Sequence, residues 1–267
     1  MKKYDNSNEY PNTKQGLFPL APITIVTGHY GVGKTNFSLN LAHDVKKVGK
    51  QVTLIDLDIV NPYFRSSDYA ALLESSGIRV ISPVFAGSTL DVPSLSGAIY
   101  PALELADEEN IVIVDVGGDE VGAGTLGRFS TTITTKPYRL MYVINAYRNL
   151  TQTPEEAAEL FAEIEAKSGL KASGVVNNSH LGYETDLSVI EKSLEYAERV
   201  ASLLDQPLLA STIPVTAKNL DNAAIANDID YNSMIEGSAP KSSMLLSTRR
   251  MQDPYFVQVY VRTPWEL

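Results

Sequence analysis

A chain of 267 residues with 44% hydrophobic and 20% charged residues is long enough for one sizeable core, which excludes collagenous, coiled-coil and wholly disordered classes. Its 22 Lys and Arg against 32 Asp and Glu leave a net charge of −10, so its field opposes nonspecific binding to nucleic acid or an anionic membrane. With no cysteine, disulfides, thiolate metal sites, cysteine-ligated clusters and a cysteine nucleophile are all removed.

Residues 1–16 are polar, and the apolar run 17–21 is broken by Pro19 and stopped by Pro22. That leaves no secretory core and points to a cytoplasmic protein without a membrane span. Residues 1–21 are read as an N-terminal extension and 22–267 as a single domain. From Pro22 short β-branched runs alternate with amphipathic stretches, the pattern of a parallel sheet covered by helices on both faces.

The first strand is Ile23 to Thr27, followed by Gly28-His29-Tyr30-Gly31-Val32-Gly33-Lys34-Thr35, a full match to G-x-x-x-x-G-K-[ST]. Glycines let successive backbone N–H groups face one concavity, and the following helix adds the positive end of its dipole. Lys34 supplies a mobile cation and Thr35 a hydroxyl for magnesium. Residues 28–36, Asn36 included, are therefore candidate nucleotide contacts. Phe37, Leu41, Val45 and Val48 fall on one helical face before Gly49 stops it.

Gln51 to Leu57 reads as a second strand that ends at the acidic pair Asp56 and Asp58, and Asp58 to Ser67 as a turn offering Asn61, Tyr63 and Arg65. A weaker strand follows at Ile78 to Pro83, then a helix over 95–107. Ile111 to Val114 is a central strand closing on Asp115, the carboxylate expected across the metal from a phosphate loop. Asp56, Asp115 and Thr35 are the candidate magnesium ligands; Asp56, Asp58 and Lys34 are the candidate catalytic groups, with one carboxylate ordering the attacking water. Residues 118–129 carry too many glycines for a rigid helix and read as a moving segment, in which Arg128 is an isolated cation.

Further strands are expected at Arg139 to Asn145, Ala172 to Asn177 and Pro207 to Ile213, with a helix from Pro154 to about Lys167 and another from an N-cap at Asp186 to Leu204. Residues 216–243 give no clear pattern, Arg249 and Arg250 form a basic pair, and Tyr255 to Val261, bracketed by Pro254 and Pro264, reads as an edge strand.

Together these residues resemble the MinD/ParA/CobQ-CbiA branch of P-loop NTPases, the SIMIBI class, over about Ile23 to Pro214. LIDLD (54–58) stands for its D-x-D strand, and IVIVDVGG (111–118) for its Walker B strand. The resemblance implies a three-layer α/β/α fold with a mostly parallel central sheet, ATP and Mg2+ as ligands, and switch segments after Asp58 and Gly118. It also implies an adenine-reading asparagine at Asn178, or else Asn177, and packing of the segment at Pro214 on the base. One departure stands out: the branch's signature lysine position is His29, and the following glycine is Tyr30. Arg128 is a candidate for the charge thereby lost.

The implied activity is that of a magnesium-dependent ATPase acting as a nucleotide-gated switch or a maturation or positioning factor. It would work with a protein partner and a nucleotide-dependent homodimer, and without nucleic acid or membrane. The alternatives are an ATP-dependent small-molecule ligase resembling cobyrinic acid diamide synthase or dethiobiotin synthetase, and a nucleotide-binding module that does not hydrolyse.

Overall fold

The computed structural model describes residues 20–58, 69–83, 95–149, 151–181, 185–214 and 254–261. Asn61, Tyr63, Arg65, residues 216–243 and the Arg249-Arg250 pair lie outside them. The described elements, in chain order, are β1 (Ile23–Thr27), α1 (Lys34–Lys47), β2 (Gln51–Asp56), α2 (Ala70–Ser75), β3 (Arg79–Ile81), α3 (Ile99–Leu105) and β4 (Asn110–Asp115). After them come α4 (Glu120–Gly127), α5 (Ser130–Ile133), β5 (Tyr138–Ile144), α6 (Pro154–Ser168), β6 (Gly174–Asn177), α7 (Leu187–Leu203), β7 (Leu208–Pro214) and β8 (Pro254–Val257).

Among the described residues the strands form one sheet in the order β3-β2-β4-β1-β5-β6-β7-β8, with every pairing parallel. Strands buried on both faces are mostly apolar on both, as the buried residues of β1, β4 and β5 are apart from Thr24, Thr27, Asp115 and Arg139. Alternate residues then serve two cores. Ile23, Ile25, Val112, Val114 and Tyr142 pack with α3 to α7, whereas Val26, Ile113, Met141 and Val143 pack with α1, α2 and β8. This is the expected α/β/α sandwich. No helix among the described residues is long and apolar enough to cross a membrane.

Helix ends follow their capping chemistry. Thr153 and Glu156 form a reciprocal capping box with Pro154 in the first turn of α6, and Gly169 ends that helix in the left-handed conformation. The Asp186 carboxylate accepts from Val189 N and caps α7. Val48, expected on the buried face of α1, instead lies just past its end and is 38% exposed.

The glycine-rich segment departs from expectation, because residues 120–127 are helical. The Asp119 carboxylate caps α4 by accepting from Gly122 N at 2.7 Å. Two of its glycines are there for packing. A Cβ at Gly122 would fall 2.4 Å from Gly117 O, and one at Gly127 would fall 2.7 Å from Lys167 O on α6, whereas one at Gly124 would meet open space. Gly124→Ala should therefore raise stability by about 1 kcal/mol through helix propensity. Gly122→Ala should lower it by about as much or more through overpacking. Urea denaturation checks this, and equal effects at the two positions would overturn the packing account.

Candidate functional site

In an open parallel sheet, ligands bind beyond the carboxyl ends of the strands. Here β1 lies between β4 and β5, so the loop after β1 is flanked by residues following β4 on one side and β5 on the other. That loop, residues 28–33, runs into α1 through Gly33 at φ 92, a left-handed conformation that an L side chain resists. The first amides of α1 are thereby turned toward the loop's concavity.

Lys34 is buried, and its ammonium donates to His29 O at 3.0 Å, closing the loop on itself. Burial pulls its pKa down while Asp115, Asp58 and Asp119 oppose that shift, so the cation is poorly hydrated and surrounded by acid. Thr35 Oγ1 donates to Asp115 Oδ2 at 2.8 Å, bringing together two expected magnesium ligands from sequence positions 80 residues apart. Asp56 pairs in register with Asp115 on the neighbouring strand, and its Oδ1 accepts from Asp58 N at 2.9 Å. The Asp58 carboxylate faces the loop after β4, 3.3 Å from where a Cβ of Gly117 would sit. Asp115, Asp58 and Asp119 thus gather around Lys34, with Thr35 bonded to Asp115 and Asp56 next to Asp115 on the neighbouring strand.

Among the described residues no cluster of three or more His, Asp or Glu side chains forms a metal cage by itself. A hydroxyl beside one or two carboxylates suits magnesium, which keeps several waters and takes its remaining ligands from phosphate. The oxygens of Thr35 and Asp115 fit such an ion.

Gly118 presses on the loop: a Cβ there would lie 2.7 Å from Tyr30 N and 2.8 Å from Lys34 Nζ. His29, at the signature-lysine position, does not replace the missing charge. Burial and the nearby Lys34 both lower its pKa, against a hydrogen bond with the Gly118 backbone, so the ring is neutral near pH 7.

The asparagines expected to read a base are already engaged. The Asn177 side chain is buried, donating to Ser193 Oγ at 3.0 Å and Ser211 Oγ at 3.2 Å. Asn178 donates to Val32 O at 2.6 Å, while its Oδ1 takes the Thr212 hydroxyl and lies 3.1 Å from His180 Nε2. Burial, and then the charge of Arg148, push the His180 pKa down to about 4. Pro214 is the last residue of β7, buried and in register with Val257 of β8.

The nucleotide-binding domain shared by CobQ, CobB, MinD and ParA matches residues 23–220 of this sequence. The chain belongs to that family. Antiactivator FleN of Pseudomonas aeruginosa is 24% identical to this CobQ/MinD/ParA-family chain over 191 residues, covering 55% of this chain and 68% of FleN. In fold, FtsY of Mycoplasma mycoides aligns over 80% of this chain and 67% of its own, at 14% identity and a TM-score of 0.53. FtsY of Elizabethkingia anophelis in complex with GDP, at 16% identity and a TM-score of 0.48, aligns with 72% of this chain. The chain spans 57% of that structure's length.

Several contacts in this family member have no counterpart in a motif and were not read from the sequence. The Tyr30 hydroxyl donates to Asp119 Oδ2 at 3.1 Å, tying the phosphate loop to the N-cap of α4. Burial first, then that hydrogen bond, push the phenol's pKa up to about 12, so it remains a donor. The Asn36 side chain turns to the C-terminal segment, accepting from Tyr260 N at 2.8 Å and donating to Gln258 O at 2.9 Å. Asn40, one turn later, completes the clasp, donating to Gln258 O and accepting from Gln258 N. The i, i+4 spacing of two asparagines was the available signal. Arg128, by contrast, lies at the far end of α4, its carbonyl accepting from the Tyr100 hydroxyl of α3.

Proposed function

We propose that the chain is a magnesium-dependent ATPase that works as a nucleotide-gated switch on a partner protein. The observation that carries this reading is the 2.8 Å bond between Thr35 and Asp115, with Lys34 closed onto His29 O beside them. An incoming triphosphate offers Lys34 a better acceptor than that carbonyl, and Thr35 and Asp115, now bonded to each other, would hold a magnesium ion that would supply positive charge to the phosphates. Both contacts draw on the same loop against which Gly118 and Asp119 rest, so the occupied and empty states differ where α4 begins. Asp58 would order the attacking water, and Asp56, in register with Asp115, would help to hold the ion. The name antiactivator, carried by FleN, supports a protein as the switch's target.

Light scattering with magnesium tests the reading. The mass is expected to rise from 29.1 kDa to twice that value with a non-hydrolysable ATP analogue and to stay monomeric with ADP. ATP turnover should disappear on chelation of magnesium. An unchanged mass under saturating analogue, with turnover that appears only when a small carboxylic acid is added, would overturn the switch in favour of ligase chemistry.

A further inference from the structure

The phosphate loop has a flank that no motif covers. Because β5 lies beside β1 on the side away from β4, the turn leaving β5 meets the loop opposite the carboxylates. That turn carries Arg148. A first side-chain carbon at Gly31 would lie 3.5 Å from Arg148 Nε and 3.6 Å from its Cζ, so the guanidinium runs along the outer lip of the loop.

The arginine is held there by a polar scaffold. Asn145, 2% exposed, accepts from Tyr147 N at 3.0 Å and through its own carbonyl from Arg148 N at 3.2 Å. Ala146 N donates to Ser179 Oγ at 2.8 Å, and the Tyr147 hydroxyl donates to Val189 O of α7. Yet the side chain so placed is exposed and, among the described residues, makes no ion pair. Nor does folding account for it: buried groups fix the backbone, and the charged end projects past them to the loop. Its field reaches the neighbouring His180, whose pKa it helps to lower.

We infer that Arg148 contacts the terminal phosphates of the nucleotide held in its own loop, supplying the second cation that His29 does not. A planar guanidinium offers paired donors to phosphate oxygens, and the bare Gly31 leaves its approach open. The acidic flank from β2 and β4 then takes the metal, and the basic flank from β5 takes phosphate charge that the metal does not neutralise. This inference rests on the proposed nucleotide site and assigns a further residue to it.

Fluorescence titration with a labelled non-hydrolysable ATP analogue and with labelled ADP tests it on the full chain. Arg148→Ala should weaken the ATP analogue by about tenfold, a charge-assisted contact at an exposed site, and ADP by less, lowering the preference between them. Arg148→Lys should recover part of the loss. Added salt should weaken the wild type more steeply than Arg148→Ala, since the lost contact is exposed and screened. Thermal unfolding should be unchanged, because the side chain is exposed, and Arg128→Ala should bind as the wild type does.

Lys34→Met separates the two ideas: if it binds nucleotide normally, the proposed site itself fails. If Lys34→Met loses binding while Arg148→Ala keeps wild-type affinity and preference, only the role of Arg148 is overturned. A loss seen only at concentrations where the mass doubles would place the guanidinium on the partner copy's nucleotide and would also overturn the assignment.

Discussion

Lys34→Met is expected to remove nucleotide binding while leaving a folded protein. The wild-type ammonium is buried, donates to a carbonyl of its own loop and is surrounded by Asp115, Asp58 and Asp119. Such a cation is weakly hydrated, so it loses little solvation on meeting phosphate, and its contact should exceed the roughly 1.5–3 kcal/mol of an ordinary charged hydrogen bond. Removing it leaves three carboxylates near an incoming polyanion with magnesium and the more distant, exposed Arg148 to offset them, and affinity should fall more than a hundredfold. Methionine keeps most of the aliphatic volume, so the core around α1 survives. The clearest readout is ligand-linked stability. At a hundredfold excess over Kd, nucleotide should stabilise the wild type by about 2.7 kcal/mol. Lys34→Met should show no such shift at the same concentration. A retained shift would mean that nucleotide binds without this cation and would overturn the assignment of the phosphate loop as its site.

The loop, its strand and its helix were legible because each is a local pattern: a β-branched run, a glycine motif and an amphipathic repeat. The order of the strands was not in any of these, yet it decides what faces the loop. Only once β1 is placed between β4 and β5 do Asp115 and Arg148 come to opposite sides of the same turn. Asp115 could be anticipated because a motif names it, and Arg148 could not. The segment after β4 shows a different limit, a helix that glycine counting hid. Counting glycines predicts mobility, but the count does not say that Gly122 and Gly127 face backbone atoms of Gly117 and Lys167. The cap at Asp119 and the Tyr30 hydroxyl that reaches it are 89 residues apart, a pairing that local periodicity does not encode.

Asn178 is where the resemblance and the geometry lead to different expectations, and a single substitution separates them. An amide free to read adenine would offer one donor and one acceptor. Here the acceptor takes the Thr212 hydroxyl and the His180 ring, and one donor is spent on Val32 O, under the loop. The side chain is 1% exposed, and a Cβ at Gly33 would collide with its nitrogen at 2.2 Å. Asn178 is therefore expected to act first as a strut between the phosphate loop and the ends of β6 and β7. Asn178→Ala should strand the Val32 carbonyl in the interior, at about 1–3 kcal/mol for a buried group left unpaired, and leave the Thr212 hydroxyl only its longer bond to Asn177 O at 3.4 Å. Unfolding free energy without nucleotide should fall by about 3 kcal/mol, and affinities for ATP and GTP should weaken together as the loop loosens. Asn178→Asp should fare no better, since a carboxylate cannot donate to Val32 O. Urea denaturation combined with paired ATP and GTP titrations decides the matter. Unchanged stability with a selective loss of ATP would show that the amide leaves Val32 to read the base, and would overturn the strut.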